Sequence, residues 1–570
     1  MSHMRKNSLF LMGIAFLLAA FLPITAGYAG TISSEFPIAT SAGEELSRSA
    51  AFDGTNYLVG IQGDEAADYN ITAQLVSQSG ALVGSRISTS RTGGAPLVAF
   101  DGTNYLMVWA DDATYPHDII YGQLISKAGA TVESPFVIGT PSGEYGSPVG
   151  VVFDGSNYFV AWNTADGGDA VDLYGQFISP SGSLLGSPVA ITTAIYQQRD
   201  AALAFDGTNI LVVWADGRRR IHNGPCPVGY GYYPTDIYGQ FVTKSGEGSA
   251  GSLFGSNFII NENSYPSDNP LNIAFDGTNY LVVWMDEVIM GTTCPDYEEI
   301  GGQWDLFGQL IDKSGSKVGS VISVSTASGQ QFAPSIAFDG TNYLVSWTDM
   351  RNDANGNWTC DAEEGTCSDI YGQFVSKSGA LLGSEFIINN DEGNQLGGFG
   401  GYAVNGKLFG LINTGVDLAL DLWGDVYGVF ISSAETPCDF DGDGDSDIGV
   451  WRPSNGKWYI QGQSAVAWGV STDCPVPGDY DGDGDSGIAV WRPSNGKWLI
   501  QGQSAIAWGV STDIPVPGDY DGDGDTEIGV WRPSNGKWYI QGMSSTQWGV
   551  STDWPVAQNI WILKQTGLIP

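Results

Sequence analysis

The sequence has little positive charge. Its 570 residues include 23 Lys and Arg against 63 Asp and Glu, which gives a formal net charge of −40. A chain this acidic repels phosphate backbones and anionic lipid, so nucleic-acid binding and membrane docking through basic patches are excluded. Charged residues make up only 15% of the chain, where about 25% is usual. Disorder is excluded nevertheless, because 42% of the residues are hydrophobic and 12% are aromatic.

Several motifs of catalysis and metal chemistry are also missing. The chain has three histidines and contains no Gly-x-Ser-x-Gly, His-Glu-x-x-His or Cys-x-x-Cys motif. No catalytic residue is therefore assigned, although a pair of carboxylates can cleave glycosides and the sequence offers many acids. What the sequence does have is 79 Gly, 26 Pro and 19 Trp. That mixture is typical of short strands, tight turns and buried aromatic rings.

Residues 1–29 have the features of an export signal. Two basic residues precede an apolar run from Leu9 to Ile24, and a stretch of small residues follows up to Ala29. The leading Met1-Ser2-His3 resembles the remnant of an expression tag. The run is short for a membrane-spanning helix, and no second segment of about 18 apolar residues follows. We therefore expect a secreted or surface-displayed protein with no integral membrane segment in its mature chain.

Six cysteines in an exported chain most simply form three disulfides. Sequence alone does not fix their connectivity. The pairs predicted from proximity along the chain are Cys226 with Cys294, Cys360 with Cys367, and Cys438 with Cys474. A zinc site built from four cysteines is the alternative, and the lack of a Cys-x-x-Cys motif disfavours it.

A motif that begins with Phe-Asp-Gly recurs through most of the chain. Each copy indicates two β-rich strands around an Asp-Gly-Thr-Asn or similar turn, followed by a third strand such as 369–375 and a fourth such as 384–388. Four antiparallel strands in a unit of about 50 to 65 residues match one blade of a β-propeller. The six copies begin at Phe52, Phe100, Phe153, Phe205, Phe275 and Phe338.

A seventh unit keeps only three strands, at 401–404, 407–412 and 425–430. Its missing strand is found at the other end of the chain, where 34–38 has the same pattern as 384–388. An N-terminal strand that completes the last blade closes the ring and removes open sheet edges. We therefore predict an all-β fold with a seven-bladed β-propeller over residues 30–433. An open β-solenoid is the alternative, but it does not need its two ends to share a strand pattern.

The repeated aromatic and acidic residues are assigned to architecture. A tryptophan recurs in the second strand, where a large ring fills the space between adjacent blades. An aspartate recurs in the turn, where its side chain accepts backbone hydrogen bonds. The tryptophans are Trp109, Trp162, Trp214, Trp284 and Trp347, and the aspartates are Asp53, Asp101, Asp154, Asp206, Asp276 and Asp339.

Loops between the second and third strands are long in three consecutive units, at 216–235, 286–304 and 349–368. Equivalent loops emerge on one face of a propeller, so we expect them to form a cap, which is a usual place for binding. Basic and aromatic residues there suit a glycan or protein ligand. The favoured alternative is that the arginines pair with neighbouring acids and fix the cap. The candidate ligand residues are Arg218, Arg219, Arg220, His222, Tyr232 and Trp358.

From residue 439 the period changes to 40 residues, and each of three copies opens with an acid-rich loop. Carboxylates at positions 1, 3 and 5 with glycines at 4 and 6 let the backbone curl, so that hard oxygen atoms converge on one Ca²⁺, with a backbone carbonyl expected from position 7. Position 9 is acidic in the first and third copies, whereas Gly487 stands there in the second, whose site is expected to be weaker or empty. The predicted calcium ligands are Asp439, Asp441, Asp443, Asp445, Asp447, Asp479, Asp481, Asp483, Asp485, Asp519, Asp521, Asp523, Asp525 and Glu527.

Two related assignments are disfavoured. An EF-hand needs Glu at position 12, where this chain has Val450, Val490 and Val530, and the residues that follow are β-like. Mg²⁺ is disfavoured because a flexible, all-protein cage of oxygen atoms suits the larger calcium ion.

These copies resemble a known family of repeats. The loop Asp479 to Asp485, the segment Val490-Trp491-Arg492-Pro493 and the segment Trp508-Gly509-Val510 are similar to bacterial FG-GAP or VCBS-type repeats, which are relatives of the calcium loops in integrin α-subunit propellers. The resemblance implies a calcium-binding all-β module over residues 434–570. The N-terminal repeats resemble those of uncharacterised exported bacterial proteins, which implies a propeller at the cell surface. Three copies are too few for a familiar closed propeller, so the module is a partial propeller, a short array, or a unit completed by another chain.

Three functions are compatible with these features. The favoured one is a secreted or cell-surface, calcium-binding propeller that acts in adhesion or in recognition of an extracellular glycan or protein ligand. The first alternative is a carbohydrate-active lyase or hydrolase that uses the propeller face. The second is a structural subunit of an extracellular assembly that self-associates through its C-terminal repeats.

Overall fold

The computed structural model describes most of the chain after the predicted export signal. The described residues are 31–40, 45–63, 70–94, 96–111, 119–141, 145–165, 171–218, 235–246, 249–264, 271–288, 303–352, 368–390, 395–404, 407–414, 425–432, 438–440, 447–481, 485–520, 526–550, 553 and 555. All regular elements within these ranges are β-strands, so the all-β prediction is confirmed. The same ranges contain no helix that is long and apolar enough to cross a membrane.

The first part of the chain forms seven antiparallel sheets, and in six of them the strands follow chain order. Sheets one to three consist of β3 (Glu45–Phe52), β4 (Asn56–Gly63), β5 (Asn70–Ser77) and β6 (Leu82–Thr92); β7 (Leu97–Phe100), β8 (Asn104–Asp111), β9 (Ile119–Ser126) and β10 (Thr131–Gly139); and β11 (Tyr145–Phe153), β12 (Tyr158–Ala165), β13 (Val171–Ile178) and β14 (Leu184–Thr192).

The next sheets repeat the pattern. Sheets four to six consist of β15 (Gln198–Phe205), β16 (Asn209–Asp216), β17 (Thr235–Thr243) and β18 (Leu253–Ser264); β19 (Asn272–Phe275), β20 (Asn279–Val288), β21 (Gln303–Asp312) and β22 (Lys317–Ser325); and β23 (Gln331–Phe338), β24 (Tyr343–Asp349), β25 (Asp369–Val375) and β26 (Leu381–Asn389). Sheet seven combines β27 (Gln395–Val404), β28 (Lys407–Thr414) and β29 (Val426–Ser432) with the N-terminal β1 (Thr31–Ile32) and β2 (Phe36–Ala39).

These seven sheets form a closed ring. The first strand of each sheet contacts the first strand of the next, from β3 through β7, β11, β15, β19 and β23 to β27, and β27 in turn contacts β3. The N-terminal strand β2 pairs with β29, with Phe36 opposite Gly428 and Ala39 opposite Val426. Ile38 is only 4% exposed and packs in a cluster with Tyr57 of the first sheet. The two ends of the ring are therefore held together by strand pairing and by apolar burial.

The Phe-Asp-Gly turns have the predicted architectural role. The carboxylate of Asp339 accepts the backbone N–H groups of Thr341 and Asn342 at 2.8 and 2.6 Å. Gly340 has a φ of +108°, which favours glycine. The same two bonds occur in the other five copies, at Asp53, Asp101, Asp154, Asp206 and Asp276.

The repeated aromatic residues form the contacts between sheets, as predicted. Trp109, Trp214, Trp284 and Trp347 are at most 1% exposed, and Trp162 is also buried. A tyrosine in the same strand reaches the preceding sheet. For example, the hydroxyl of Tyr343 donates a hydrogen bond to the carbonyl of Asn279 at 2.9 Å. Tyr105, Tyr158 and Tyr280 make the equivalent bonds, so four pairs of neighbouring sheets are joined both by a buried tryptophan ring and by a hydrogen bond.

The C-terminal repeats form three small sheets that we call the stack. Apolar clusters cross from each sheet to the next: Trp458 packs with Val490 in one cluster, and Trp498 packs with Val530 in another. The first sheet consists of β30 (Gly449–Arg452), β31 (Lys457–Ile460) and β32 (Val466–Ala467), the second of β33 (Cys474–Pro475), β34 (Ala489–Arg492), β35 (Lys497–Ile500) and β36 (Ile506–Ala507), and the third of β37 (Ile514–Pro515), β38 (Gly529–Arg532), β39 (Lys537–Ile540) and β40 (Thr546–Gln547).

The predicted disulfide between Cys438 and Cys474 is wrong, because both thiols are free. Cys474 is buried in an apolar cluster with Trp491, in the place that Ile514 takes one repeat later. It is therefore a core side chain. Burial, with a smaller contribution from Asp473, raises the pKa of the Cys474 thiol to about 12, which keeps it protonated and unreactive. The other predicted pairs, Cys226 with Cys294 and Cys360 with Cys367, lie outside the described residues.

Candidate functional site

The ends of the three acid-rich loops are well defined. The position-1 carboxylates of Asp439 and Asp479 are 1% and 5% exposed. At position 9, Asp447 Oδ2 accepts the backbone N–H of Phe440 at 2.7 Å. Glu527 Oε2 accepts the backbone N–H of Tyr520 at the same distance. In the first and third loops, the position-9 carboxylate therefore folds back over the start of the loop, which sequence reasoning did not foresee.

Backbone hydrogen bonds hold the loops in a row. In the second loop, the N–H of Gly487 donates to the carbonyl of Gly478 at 2.8 Å, and no carboxylate is present at position 9. Position 8 of each loop donates to position 1 of the preceding loop: Ser486 N to Asp439 O and Thr526 N to Asp479 O, both at 2.5 Å. Because these bonds join the backbones of consecutive loops, a change in the geometry of one loop alters the geometry of the next.

Half of the predicted calcium ligands can be placed. Asp439, Asp447, Asp479, Asp481, Asp485, Asp519 and Glu527 are described, whereas Asp441, Asp443, Asp445, Asp483, Asp521, Asp523 and Asp525 lie outside the described residues. Within the described part of the chain, no group of three His, Cys, Asp or Glu side chains converges. The donor set fits Ca²⁺ all the same, since it consists of the hard carboxylate oxygens that this ion prefers.

Arg218 is the one predicted ligand residue that the structure describes. Its guanidinium forms two hydrogen bonds with Asp216, Nε to Oδ1 at 2.9 Å and Nη2 to Oδ2 at 2.6 Å. It also lies 4.3 Å from the ring centre of Tyr238. Trp214 Nε1 donates to the same carboxylate at 2.7 Å. The guanidinium is thus held by Asp216 and Tyr238 of sheet four. Arg219, Arg220, His222, Tyr232 and Trp358 lie outside the described residues.

The same arrangement recurs two sheets later. Arg351 pairs with the fully buried Asp349 through Nε and Nη2, stacks over Tyr371 at 4.0 Å, and also reaches Glu385 at 2.6 Å. Burial lowers the pKa of Arg351, but the hydrogen bonds and charges of the two carboxylates outweigh it and raise the pKa above its ordinary value. The pairs at Asp216 and Asp349 stand at the bases of the first and third long loops, where they anchor the chain.

Buried polar groups lie at the same edge of the ring, which we call the mouth. Gln331, at the start of β23, lies opposite Asp349 and is fully buried, and neither its Nε2 nor its Oε1 has a hydrogen-bond partner among the described residues. On β24, the buried hydroxyls of Ser346 and Thr348 also lack a partner there. Sequence reasoning missed these groups, although a glutamine seven residues before the Phe recurs as Gln198.

The first strand of sheet four carries an unusual carboxyl group at the mouth. A bulge between Arg199 and Ala202 places Asp200 at a φ of +54°. Burial raises the pKa of Asp200 to about 7, and the neighbouring Arg199 charge partly opposes this effect. Only Asn, Asp and Gly adopt this backbone conformation readily. The mouth therefore combines a carboxyl group that titrates near neutral pH with buried amide and hydroxyl groups.

No family model matches the chain, and no curated protein matches it. Solved structures that are similar to parts of it include the β-propeller domain of the Trilobed protease from Pyrococcus furiosus, with 11% identity and a TM-score of 0.36 over 67% of this chain and 93% of that chain. A subtype N10 neuraminidase-like protein of A/little yellow-shouldered bat/Guatemala has 10% identity and a TM-score of 0.34, over 71% and 99%. The α-L-arabinofuranosidase Arb93A from Fusarium graminearum has 11% identity and a TM-score of 0.35, over 57% and 96%. Similarity at this level says nothing about the ligand or reaction of this chain.

Proposed function

We propose that this protein is a secreted or cell-surface, calcium-binding β-propeller protein that recognises an extracellular glycan or protein ligand. The ring is the rigid support, the stack carries the calcium loops, and the mouth of the ring is the recognition surface. The observation that carries the calcium assignment is the repeated loop in which a position-1 aspartate, buried in the first two copies and half-buried in the third, opens a run of acids. In two of the three loops, a position-9 carboxylate closes that run.

Bound Ca²⁺ would offset the mutual repulsion of the loop carboxylates and link the two ends of each loop. In the first loop, the oxygens of Asp439, Asp441, Asp443 and Asp447 would hold the ion, together with a backbone carbonyl from position 7. Phe440 N–H orients the Asp447 carboxylate by its hydrogen bond, so that this side chain is already directed toward the loop. The second loop lacks this group and is expected to bind calcium more weakly.

Recognition at the mouth is supported by its polar groups and by the fixed bases of two long loops at the same edge of the ring. Gln331 offers an amide donor and acceptor without partners in the described part of the chain. A buried polar group without a partner costs roughly 1–3 kcal/mol, which a ligand hydroxyl or amide can recover. The ion pairs of Arg218 and Arg351 keep the loop bases in place, so ordering them would cost a ligand little.

Calcium binding is tested by thermal unfolding of the full chain with and without millimolar Ca²⁺. Extracellular modules bind calcium at roughly 10⁻⁴ to 10⁻³ M. A ligand at one hundred times its Kd stabilises the folded state by about 2.7 kcal/mol. We expect the Tm of the stack to rise with Ca²⁺, and the double variant Asp441→Ala/Asp521→Ala to abolish most of the rise.

The second loop supplies matched controls. Asp481→Ala should change the calcium effect less than the double variant, because its loop has no position-9 carboxylate. Gly487→Asp should increase the effect, because it supplies the missing position-9 carboxylate. Its Cβ would lie 3.2 Å from the Gly478 carbonyl, so this backbone must shift slightly to admit it. A Tm shift that both the double variant and Gly487→Asp leave unchanged would show that the metal assignment is wrong.

Recognition is tested by a glycan array and an extracellular-protein array, probed with the full chain and with Gln331→Leu. Leucine matches the volume of glutamine and removes both polar groups, so we expect weaker binding together with a raised Tm, because the buried amide without a partner is lost. Binding that is equally strong in the variant would place the ligand elsewhere. If the protein cleaves a bound polysaccharide, the alternative function of a carbohydrate-active lyase or hydrolase would be favoured instead.

A further inference from the structure

The two joints between the sheets of the stack are built alike. Trp468 Nε1 donates to the carbonyl of Leu499 at 2.8 Å across the first joint, and Trp508 Nε1 donates to the carbonyl of Tyr539 at 2.9 Å across the second. Each tryptophan thus reaches the middle of the third strand of the following sheet. One joint therefore consists of a tryptophan face on one sheet and a receiving face on the next.

Both end sheets expose an unused half of such a joint. On the receiving face, Val490 and Val530 are fully buried, whereas the equivalent Val450 of the first sheet is 55% exposed and Ile448 beside it is 71% exposed. On the tryptophan face, Trp548 of the third sheet is 77% exposed, although Trp468 and Trp508 are partly buried. The two ends are apolar and have complementary shapes by construction, because the same pair of faces already packs twice within the chain.

The ends are also complementary in charge. Arg492 binds the buried Asp473 through two hydrogen bonds of 2.8 Å, and Arg532 binds Asp513 in the same way. In the first sheet the equivalent Arg452 is exposed and forms no ion pair with the described residues, since position 433 is Ser instead of Asp. Arg452 is therefore a cation at the first-sheet end of the stack that has no carboxylate partner among the described residues.

An unmatched acid stands at the other end. Asp553 repeats the position of Asp473 and Asp513, is exposed, and caps the N–H of Val550 at 2.9 Å. The segment Asp553-Trp554-Pro555-Val556 repeats the pattern that opens the second and third sheets, with Pro475 and Pro515 in their first strands. Residues 433–436, ahead of the first sheet, read Ser-Ala-Glu-Thr and lack this pattern. The segment that begins a sheet is thus present after the third sheet, at residues 553–556, and is missing before the first sheet.

We propose that the stack binds a second copy of this chain head to tail, with the tryptophan face of one copy docked on the receiving face of the next. Trp548 of one copy then donates to the carbonyl of Tyr459 of the other, and Asp553 pairs with Arg452. The occupant is a second copy for two reasons. The new joint would continue the two joints that already exist within the chain, and it would pair Asp553 with Arg452 as Asp473 and Asp513 pair with Arg492 and Arg532. Such an interface is heterologous, so it builds a chain or a ring of copies. This inference is independent of the proposed calcium and ligand functions.

The test is sedimentation velocity of the full chain over a range of concentrations. The weight-average mass of the native protein should rise with concentration, in the manner of a small and therefore weak interface. Val450→Glu spoils the receiving face and Trp548→Glu spoils the tryptophan face, and each should weaken association more than about tenfold, as for a central interface residue. A mixture of the two variants should form a species of two copies and no larger, because each variant retains the face that the other lacks.

Exchange of charges supplies a second readout. Arg452→Asp and Asp553→Arg should each be monomeric alone, and their mixture should associate. Val510→Glu is the matched control, since Val510 is 48% exposed at an internal position and its substitution should leave association unchanged. An unchanged Tm would show that each variant is folded. A native protein that stays monomeric throughout, or a monomeric mixture of Val450→Glu and Trp548→Glu, would overturn the proposal. Association that appears only when residues 556–570 are deleted would do the same, because the face would then belong to the chain's own tail.

Discussion

In the ring, every sheet has a neighbouring sheet on each side, whereas in the stack the first and third sheets each have one neighbouring sheet among the described residues. The consequence is visible in the tryptophans that recur in each region. Trp109, Trp214, Trp284 and Trp347 of the ring are all at most 1% exposed, but Trp548 of the stack is 77% exposed. Closure makes the repeated positions of the ring equivalent, while an open array leaves two end faces that differ from every internal one.

Both regions nevertheless use one device to fix their repeats. A buried aspartate accepts two hydrogen bonds from an arginine at Asp216 and Asp349 in the ring, and at Asp473 and Asp513 in the stack. The local chemistry is therefore shared, and the difference between the regions lies in how the last unit meets the first. Deletions that open the ring, and substitutions made at both internal and terminal positions of the stack, should therefore affect the two regions differently.

The largest expected effect is the loss of closure. Deletion of residues 31–39 removes β1 and β2, with the buried Ile38 and Ala39. It should lower the free energy of unfolding of the ring by on the order of 5 kcal/mol, from lost apolar burial alone. Hydrogen exchange should show lost protection in β29 and β3, with the stack unchanged. Full protection of β29 in the deletion variant would mean that strand pairing does not hold the ring closed.

The second effect should depend on position. Asp473→Asn leaves the partly buried Arg492 without a carboxylate, and Asp349→Asn leaves Arg351 with Glu385 alone. Each should lower the free energy of unfolding by roughly 2–4 kcal/mol, allowing for solvent at the arginine. The terminal Asp553→Asn should change it by less than about 0.5 kcal/mol in the monomer. Urea unfolding of the three variants measures this difference. Equal losses at Asp473 and Asp553 would contradict the view that the end of the stack is open.

The smallest effect is a pH dependence confined to the ring. Because the pKa of Asp200 is raised to about 7 in the folded state from about 3.9 when unfolded, the folded state binds more protons than the unfolded state between these values. Stability should therefore fall as pH rises from about 4 to about 7 and then level off. Asp200→Asn should be more stable than the native protein at pH 8 by roughly 2 kcal/mol, a value discounted for partial exposure.

A second aspartate gives a control of opposite sign. Burial raises the pKa of Asp312, but the hydrogen bonds from Ser314, Ser316 and Gly315 together outweigh it and lower the pKa below its ordinary value. Its contribution is present above the unfolded pKa and is lost as pH falls through the folded one. Asp312→Asn should therefore lose a little stability at neutral pH. Urea midpoints at pH 5 and pH 8 for both variants test the two signs, and the same sign in both would refute this account.

The sequence determined most of the secondary structure and its repetition. The Asp-Gly turns, the buried tryptophans and the strand 36–39 on the last sheet follow from local hydrogen bonds and from periodic burial, which a single repeat already encodes. The fourth strand of sheet six, predicted at 384–388, extends over Leu381–Asn389. This difference of a few residues arises because strand ends depend on the neighbouring strand.

Tertiary structure alone decided which polar and terminal groups remain available. Arg218 binds Asp216 and stacks on Tyr238, and Cys474 packs in the apolar core. Gln331 is buried without a partner in the described part of the chain. Two identical repeat positions, such as Val450 and Val490, are exposed and buried respectively. Sequence fixes what each side chain can do, since that depends on its own chemistry and near neighbours. Only the fold determines which groups each side chain contacts, since those groups come from distant parts of the sequence. At the ends of the stack, neighbouring repeats do not supply them.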